Sequence, residues 1–129
     1  MTVGISTTNI ANKWLDAVRG TSFSVTNLFV KLHVGDPGSA GANNAAAGST
    51  TRPAITYAAA SAGAMSQTGT APSWTNGGTS ETLSHVSFWD ASTAGNFLGS
   101  AALTASQAWA SGNTFTLTSS SWSLTPLAA

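Results

Sequence analysis

The chain has 129 residues and no cysteine, and a domain of that length buries roughly two thirds of its unfolded surface, enough for one self-sufficient core. Only 6% of the residues are charged, against about 25% in an ordinary soluble domain, and the formal net charge is zero. That balance excludes a basic stripe for nucleic acid and a polybasic segment for an anionic membrane, and the missing cysteines exclude disulfides, thiolate metal sites and thiol nucleophiles.

Ser and Thr, about three residues in ten, replace ionic groups as the polar surface. The hydrophobic fraction of 42%, with five Trp and five Phe, is incompatible with the composition of a disordered chain. Residues Met1 to Thr8 lack the cationic start and apolar run of a signal peptide. Synthesis without secretion is the expectation.

Along the chain, the spacing of Ile10, Trp14, Ala17 and Val18, widened by Ala11 and Leu15, predicts one short N-terminal α-helix over about 8–19. Thr7 or Thr8 would cap it and Gly20 would end it, while Lys13, Asp16 and Arg19 form a charged ridge on the far side. The period then changes to two. Leu28, Val30, Leu32 and Val34 alternate with Phe29, Lys31 and His33, a strand closed by the turn Gly35-Asp36-Pro37-Gly38. Residues from about 39 to 51 carry no period and read as a long loop that is either a contact excursion or mobile.

Strands are expected over Pro53–Ala59, with Ile55 and Tyr57 on one face, and over Ala64–Thr68. Asn76-Gly77-Gly78 marks a turn. Thr82–Asp90 should point Val86 and Phe88 inward and His85, Ser87 and Trp89 outward, and Thr93-Ala94-Gly95-Asn96 should return the chain through Phe97–Leu103. The stretches Thr114–Thr118 and Ser121–Thr125 alternate hydroxyl and apolar residues, which assigns Phe115, Leu117, Trp122 and Leu124 to the core. The fold class expected is mainly β: one antiparallel β-sandwich domain over 1–129, jelly-roll or Ig-like, with the N-terminal helix.

Catalysis finds little material. His33 and Asp36 read as strand-end and turn residues, and two His with four acids are too few for convergent acid–base or metal chemistry, so no catalytic, cofactor or metal site is expected. There is no G-x-S-x-G elbow and no phosphate-binding Gly-rich loop. Trp74, Trp89 and Trp109 do not all fit an inward face, and exposed Trp marks a protein interface or a sugar-stacking platform. Charges end at Asp90, so the strands that follow lack the usual edge protection and need partners. Trp14, His85 and Trp89 are the expected interface residues.

The segments Asn12-Lys13-Trp14-Leu15-Asp16-Ala17, Lys31-Leu32-His33-Val34-Gly35-Asp36-Pro37-Gly38, Arg52-Pro53-Ala54-Ile55-Thr56-Tyr57, Ser84-His85-Val86-Ser87-Phe88-Trp89-Asp90-Ala91 and Gly95-Asn96-Phe97-Leu98-Gly99-Ser100-Ala101-Ala102-Leu103 together resemble a family of small virion proteins of tailed actinobacterial phages. Members are labelled tail fibre, head fibre or minor tail proteins. The resemblance implies a non-catalytic particle component, made in the host cytoplasm and resident in the virion. Its partners would be copies of itself, a trimer being favoured, and the major capsid or tail protein. With no coiled-coil or collagen-like shaft, a decoration or knob role fits better than a long fibre. The competing expectation is a tail adhesin that binds a host-surface glycan through outward aromatics such as Trp89 or Trp109.

Overall fold

A computed structural model describes residues 3–125 of the expected 1–129 domain. In chain order the elements are β1 (Gly4–Ile5), a wide helical turn (Thr7–Ala11), α1 (Asn12–Val18), β2 (Leu28–His33), β3 (Ala54–Tyr57), β4 (Ala64–Thr68), β5 (Ser73–Thr75), β6 (Glu81–Trp89), β7 (Phe97–Trp109), β8 (Thr114–Thr116) and β9 (Ser121–Ser123). Seven strands form one antiparallel sheet in the order β1-β7-β6-β2-β3-β4-β9, and β5 pairs with β8 separately.

The class is mainly β with one short N-terminal helix, but the seven strands do not divide into the two facing sheets of a jelly-roll or Ig-like sandwich. They curl into a half-barrel. Four strand intervals separate β6 from β9, about 19 Å in a flat sheet. The ring centres of Phe88 on β6 and Trp122 on β9 are nevertheless 5.2 Å apart. Gly99 makes the close approach possible at the β7 side: a Cβ there would lie 2.9 Å from the Gly4 carbonyl oxygen and 3.3 Å from Trp122 Cη2.

Directly opposed residues share a face, so the pairs Val30↔Phe88 and Leu32↔Val86 point into the curl. There they join Ile55, Leu83, Leu98 and Leu117, with Trp74 and Trp109, in one core. Asn76 is buried against it at 1% exposure. Its amide nitrogen donates to the Thr79 and Trp109 carbonyls, and its oxygen accepts from the Gly78 amide. The Asn76-Gly77-Gly78 turn is thereby tied to the end of β7.

The N-terminal helix departs from its predicted form. Ser6, not Thr7 or Thr8, caps it, its Oγ accepting from the Asn9 amide. The Ala11 and Asn12 amides donate to the Ser6 and Thr7 carbonyls, five residues back, so the first turn holds one residue more than an α-turn. Each added residue rotates the remainder of the helix by about 100°. Ile10 is buried and Trp14 half-buried, but Leu15 and Val18, assigned to the apolar stripe, are 69% and 88% exposed. The end is as expected: Gly20 at φ +97 lets its own amide and that of Thr21 donate back to Ala17 and Asp16.

At the C-terminal end, Leu117 is buried, Phe115 and Trp122 are half-buried, and Leu124 is 49% exposed. Leu124 lies just beyond the end of β9, where its amide bonds the Gly63 carbonyl while its side chain has left the core. β7 runs to Trp109, six residues past the predicted end at Leu103, with an irregularity in its pairing between Leu83 and His85 of β6.

Candidate assembly surfaces

The back of the sheet, opposite the curl, carries Phe29, Lys31 and His33 of β2 against Trp89, Ser87 and His85 of β6. This is the face expected to be outward. It is instead covered by the chain between β2 and β3, which contains the stretch read as a long loop, either a contact excursion or mobile. Val34 and Ala46 amides donate to the Asn44 and Leu32 carbonyls, so residues 44–46 run as a short antiparallel bridge beside the end of β2. Asp36 Oδ1 accepts from the Gly38 amide and sets the turn. Gly41, at φ +69, presses so closely on the Phe97 ring that a Cβ would collide with it. Both carboxylate oxygens of Glu81 accept from this segment, at the Ala47 and Gly48 amides.

Beneath the cover, Trp89 is 9% exposed and meets Phe97 edge-on, ring centres 5.7 Å apart. The Arg52 guanidinium lies 3.7 Å from the Trp89 ring centre and donates to the Ala94 carbonyl. Trp89 Nε1 donates to Ser87 Oγ at 2.8 Å, and Ser87 Oγ is 2.7 Å from His33 Nε2. His33 Nδ1 is 2.8 Å from the Asn43 carbonyl oxygen. A carbonyl can only accept, so the neutral ring carries its proton on Nδ1, and Ser87 donates to Nε2. Burial away from water holds the His33 pKa down at about 4, the Asn43 acceptor pulling it back up and the Lys31 and His85 charges adding to the depression. Lys31 is lowered as well, first by burial and then by Arg52.

Two expectations are therefore corrected. His33 is a fully buried member of a hydrogen-bond chain rather than an edge polar residue, and Trp89 is covered by its own subunit. Trp74 and Trp109, at 2% exposure each, bond the Thr51 and Asn113 carbonyls through their indole nitrogens and offer no stacking platform. Of the residues expected at an interface, His85 is half-buried with Nδ1 2.8 Å from Ser84 Oγ, and Trp14 is half-buried on the helix. The structure does not bring Trp14, His85 and Trp89 together as one patch: Trp14 belongs to the helix, the other two to the back of the sheet.

Among the described residues, two apolar surfaces stand open to a partner. Ile10, Trp14, Phe23, Val25, Met65 and Trp122 line an apolar groove of about 350 Å³ beside the helix, next to exposed Leu15 and Val18. Lys13 sits over Phe23 at 5.2 Å, and Asp16 pairs with Arg19 at 2.9 Å. The second surface is the mouth of the half-barrel. β1 reaches only Gly99 and Ser100 of β7, so among the described residues no strand pairs with the outer edge of β7 beyond Ser100. A cleft of about 530 Å³ lies there, between Ile5, Ala101 and Leu103 on one side and Ser120 and Trp122 on the other.

Sequence reasoning missed the roles of Asn76 and Glu81. Glu81 had a signal: it is the sole acid between Asp36 and Asp90, and a lone carboxylate amid hydroxyl residues has backbone amides as its natural partners. Among the described residues no three His, Asp or Glu side chains gather as a metal site.

The half-barrel leaves uncharged edges and apolar residues on its surface, and a family model spans residues 4–125. The chain belongs to the family described as Podophage GP4 fiber I protein gp80. It is therefore a phage structural protein of the fibre kind. No curated protein matches the chain.

Proposed function

We propose that the chain is a virion surface component, a capsid decoration or a head- or tail-fibre knob, present in many copies on the particle of a phage with an actinobacterial host. It assembles as a homo-oligomer, a trimer for preference, seated on the major capsid or tail protein. The observation that supports this is the outer edge of β7: Ala102 and Thr104 to Ala108 are exposed, and no charged side chain or proline lies between Ala101 and Ala108. An uncharged free edge is a template for strand addition, and soluble monomers ordinarily block it. The helix, with Trp14, Leu15 and Val18, supplies an apolar contact element, and His85 a polar one on the back of the sheet.

Image reconstruction of the particle tests the location, and light scattering tests the assembly. Density for the chain at capsid or tail surface and a stable oligomer at micromolar concentration are the expected results; a stable monomer refutes self-assembly. Host-glycan recognition retains two half-buried indoles, Trp14 and Trp122, both lining the groove beside the helix, with Trp14 as the stacking surface. Quenching of Trp fluorescence by host-wall sugar, lost on Trp14→Ala, would favour that reading.

A further inference from the structure

We infer that the outer part of the cover, residues 35–46, is acid-releasable, latched to the back of the sheet through His33, and that lowering the pH opens it and exposes the Phe97 side of that face while Gly48, Thr51 and Pro53 stay bonded to Gly77, Trp74 and Val30 and the half-barrel stays folded. The latch is directional. Trp89 Nε1–H donates to Ser87, Ser87 O–H donates to His33 Nε2, and His33 Nδ1–H donates to the Asn43 carbonyl of the cover.

The chain of donors works only with a neutral imidazole. Protonation puts a hydrogen on Nε2, so Ser87 loses its acceptor in a site fully closed to water. The new cation would be buried with Lys31 on its own strand, His85 directly across on β6 and Arg52 at the far end of the cover, all cationic or able to become so. Among the described residues no carboxylate faces it: Asp36 bonds the Gly38 amide, and Glu81 bonds the Ala47 and Gly48 amides. Opening the cover returns the ring to water and to its ordinary behaviour.

The sign follows from linkage. His33 is held near 4 when covered and returns towards 6.5 when freed, so the open form binds the proton more tightly. Closure is at full strength above about 6.5 and weakens as the pH falls towards 4. With those two values the open population rises about 20-fold between neutral pH and pH 5.

The experiment is amide hydrogen exchange on the wild-type protein, expressed as protection factors so that intrinsic pH effects cancel. The seam amides, that of Val34 just past the end of β2, bonded to the Asn44 carbonyl, and that of Ala46, bonded to the Leu32 carbonyl of β2, should lose about 20-fold of protection from neutral pH to pH 5 and remain less protected than Val86 and Phe88 throughout. One imidazole should stay neutral in the Nδ1–H tautomer down to pH 5 by NMR. His33→Gln should abolish the pH response of the seam, and Glu81→Gln should keep it. Seam protection that is independent of pH, or equal to that of Val86 and Phe88 at every pH, overturns the latch. So does loss of the response in Glu81→Gln, or both imidazoles titrating near 6.5. If His33→Gln fails to fold, the wild-type exchange and imidazole measurements decide.

Discussion

The back of the sheet and the helical side treat the same surplus of apolar surface in opposite ways. On the back, Trp89 and Phe97 are sealed by the chain's own segment 34–53, held by bonds from Asn43, Asn44 and Glu81 and by the stacked Arg52. On the helical side, Leu15 and Val18 stand in solvent beside a groove, and the nearest polar contacts are a surface ion pair and one cation over Phe23. Burial by the chain itself is specified with hydrogen bonds, whereas the open side carries apolar area without polar closure. That division separates surface that stabilises the subunit from surface available to a neighbour.

The sharpest way to break the comparison is at Trp89. If the back face belongs to the subunit, Trp89→Ala removes a ring packed on Phe97 and Arg52 and should cost about 3–5 kcal/mol in urea unfolding. A variant with unchanged stability but lost assembly would show that Trp89 serves a neighbour and that the cover is not its native environment. Asn76 gives the next largest effect. Asn76→Ala leaves the Trp109 carbonyl without its partner at a buried site and the Gly78 amide without its partner at a half-buried one, a loss of about 2 kcal/mol. An unchanged melting temperature would show that these bonds do not hold the subunit together.

Much of this architecture was legible in residue order, and the gaps have physical causes. Alternation located β2 and β6, β4 was found over its full length, and Gly20 ended the helix as read. Alternation also divided the two faces of β6 correctly, yet it could not reveal that both are buried. The cover is built of Gly, Ala and Asn, which pack through backbone and carry no period. Its anchoring signals, Glu81 and His33, lie outside the stretch that they hold. The curl was hidden for a similar reason, since it depends on Gly99 admitting Trp122 from a strand distant in both sequence and sheet order. At the helix, apolar spacing could not show that Ile10 and Trp14 pack on the subunit while Leu15 and Val18 stay outward.

Glu81 offers a smaller test of how the cover is held. Glu81→Gln keeps the shape but loses the charge on the bonds to Ala47 and Gly48, and one of the two acceptors becomes a donor facing an amide. A loss of about 1–2 kcal/mol is expected, with the exchange of the Ala47 and Gly48 amides raised more than that of the β6 amides. Equal effects on both groups would mean that the cover and the sheet unfold as one unit.

The smallest effect on the subunit, and the most informative about its partners, belongs to Val18. Its side chain is 88% exposed and packs on nothing in the core, so Val18→Lys should change subunit stability by no more than about 0.5 kcal/mol. Lysine is also a good helix former, and near the C-terminal end of α1 its charge interacts favourably with the helix dipole. Any large consequence must therefore come from outside the subunit. If the helical side is a contact surface, the variant places an ammonium where an apolar side chain met a neighbour, and that charge must either be desolvated or hold the surfaces apart. Light scattering should then show a smaller species at micromolar concentration, or purified particles should carry fewer copies, with the melting curve of the isolated subunit unchanged. Val18→Leu, which keeps the apolar surface, should assemble as wild type. Assembly and copy number unaffected by Val18→Lys would remove the end of the helix from the contact surface and leave the outer edge of β7 as the place where a neighbour adds.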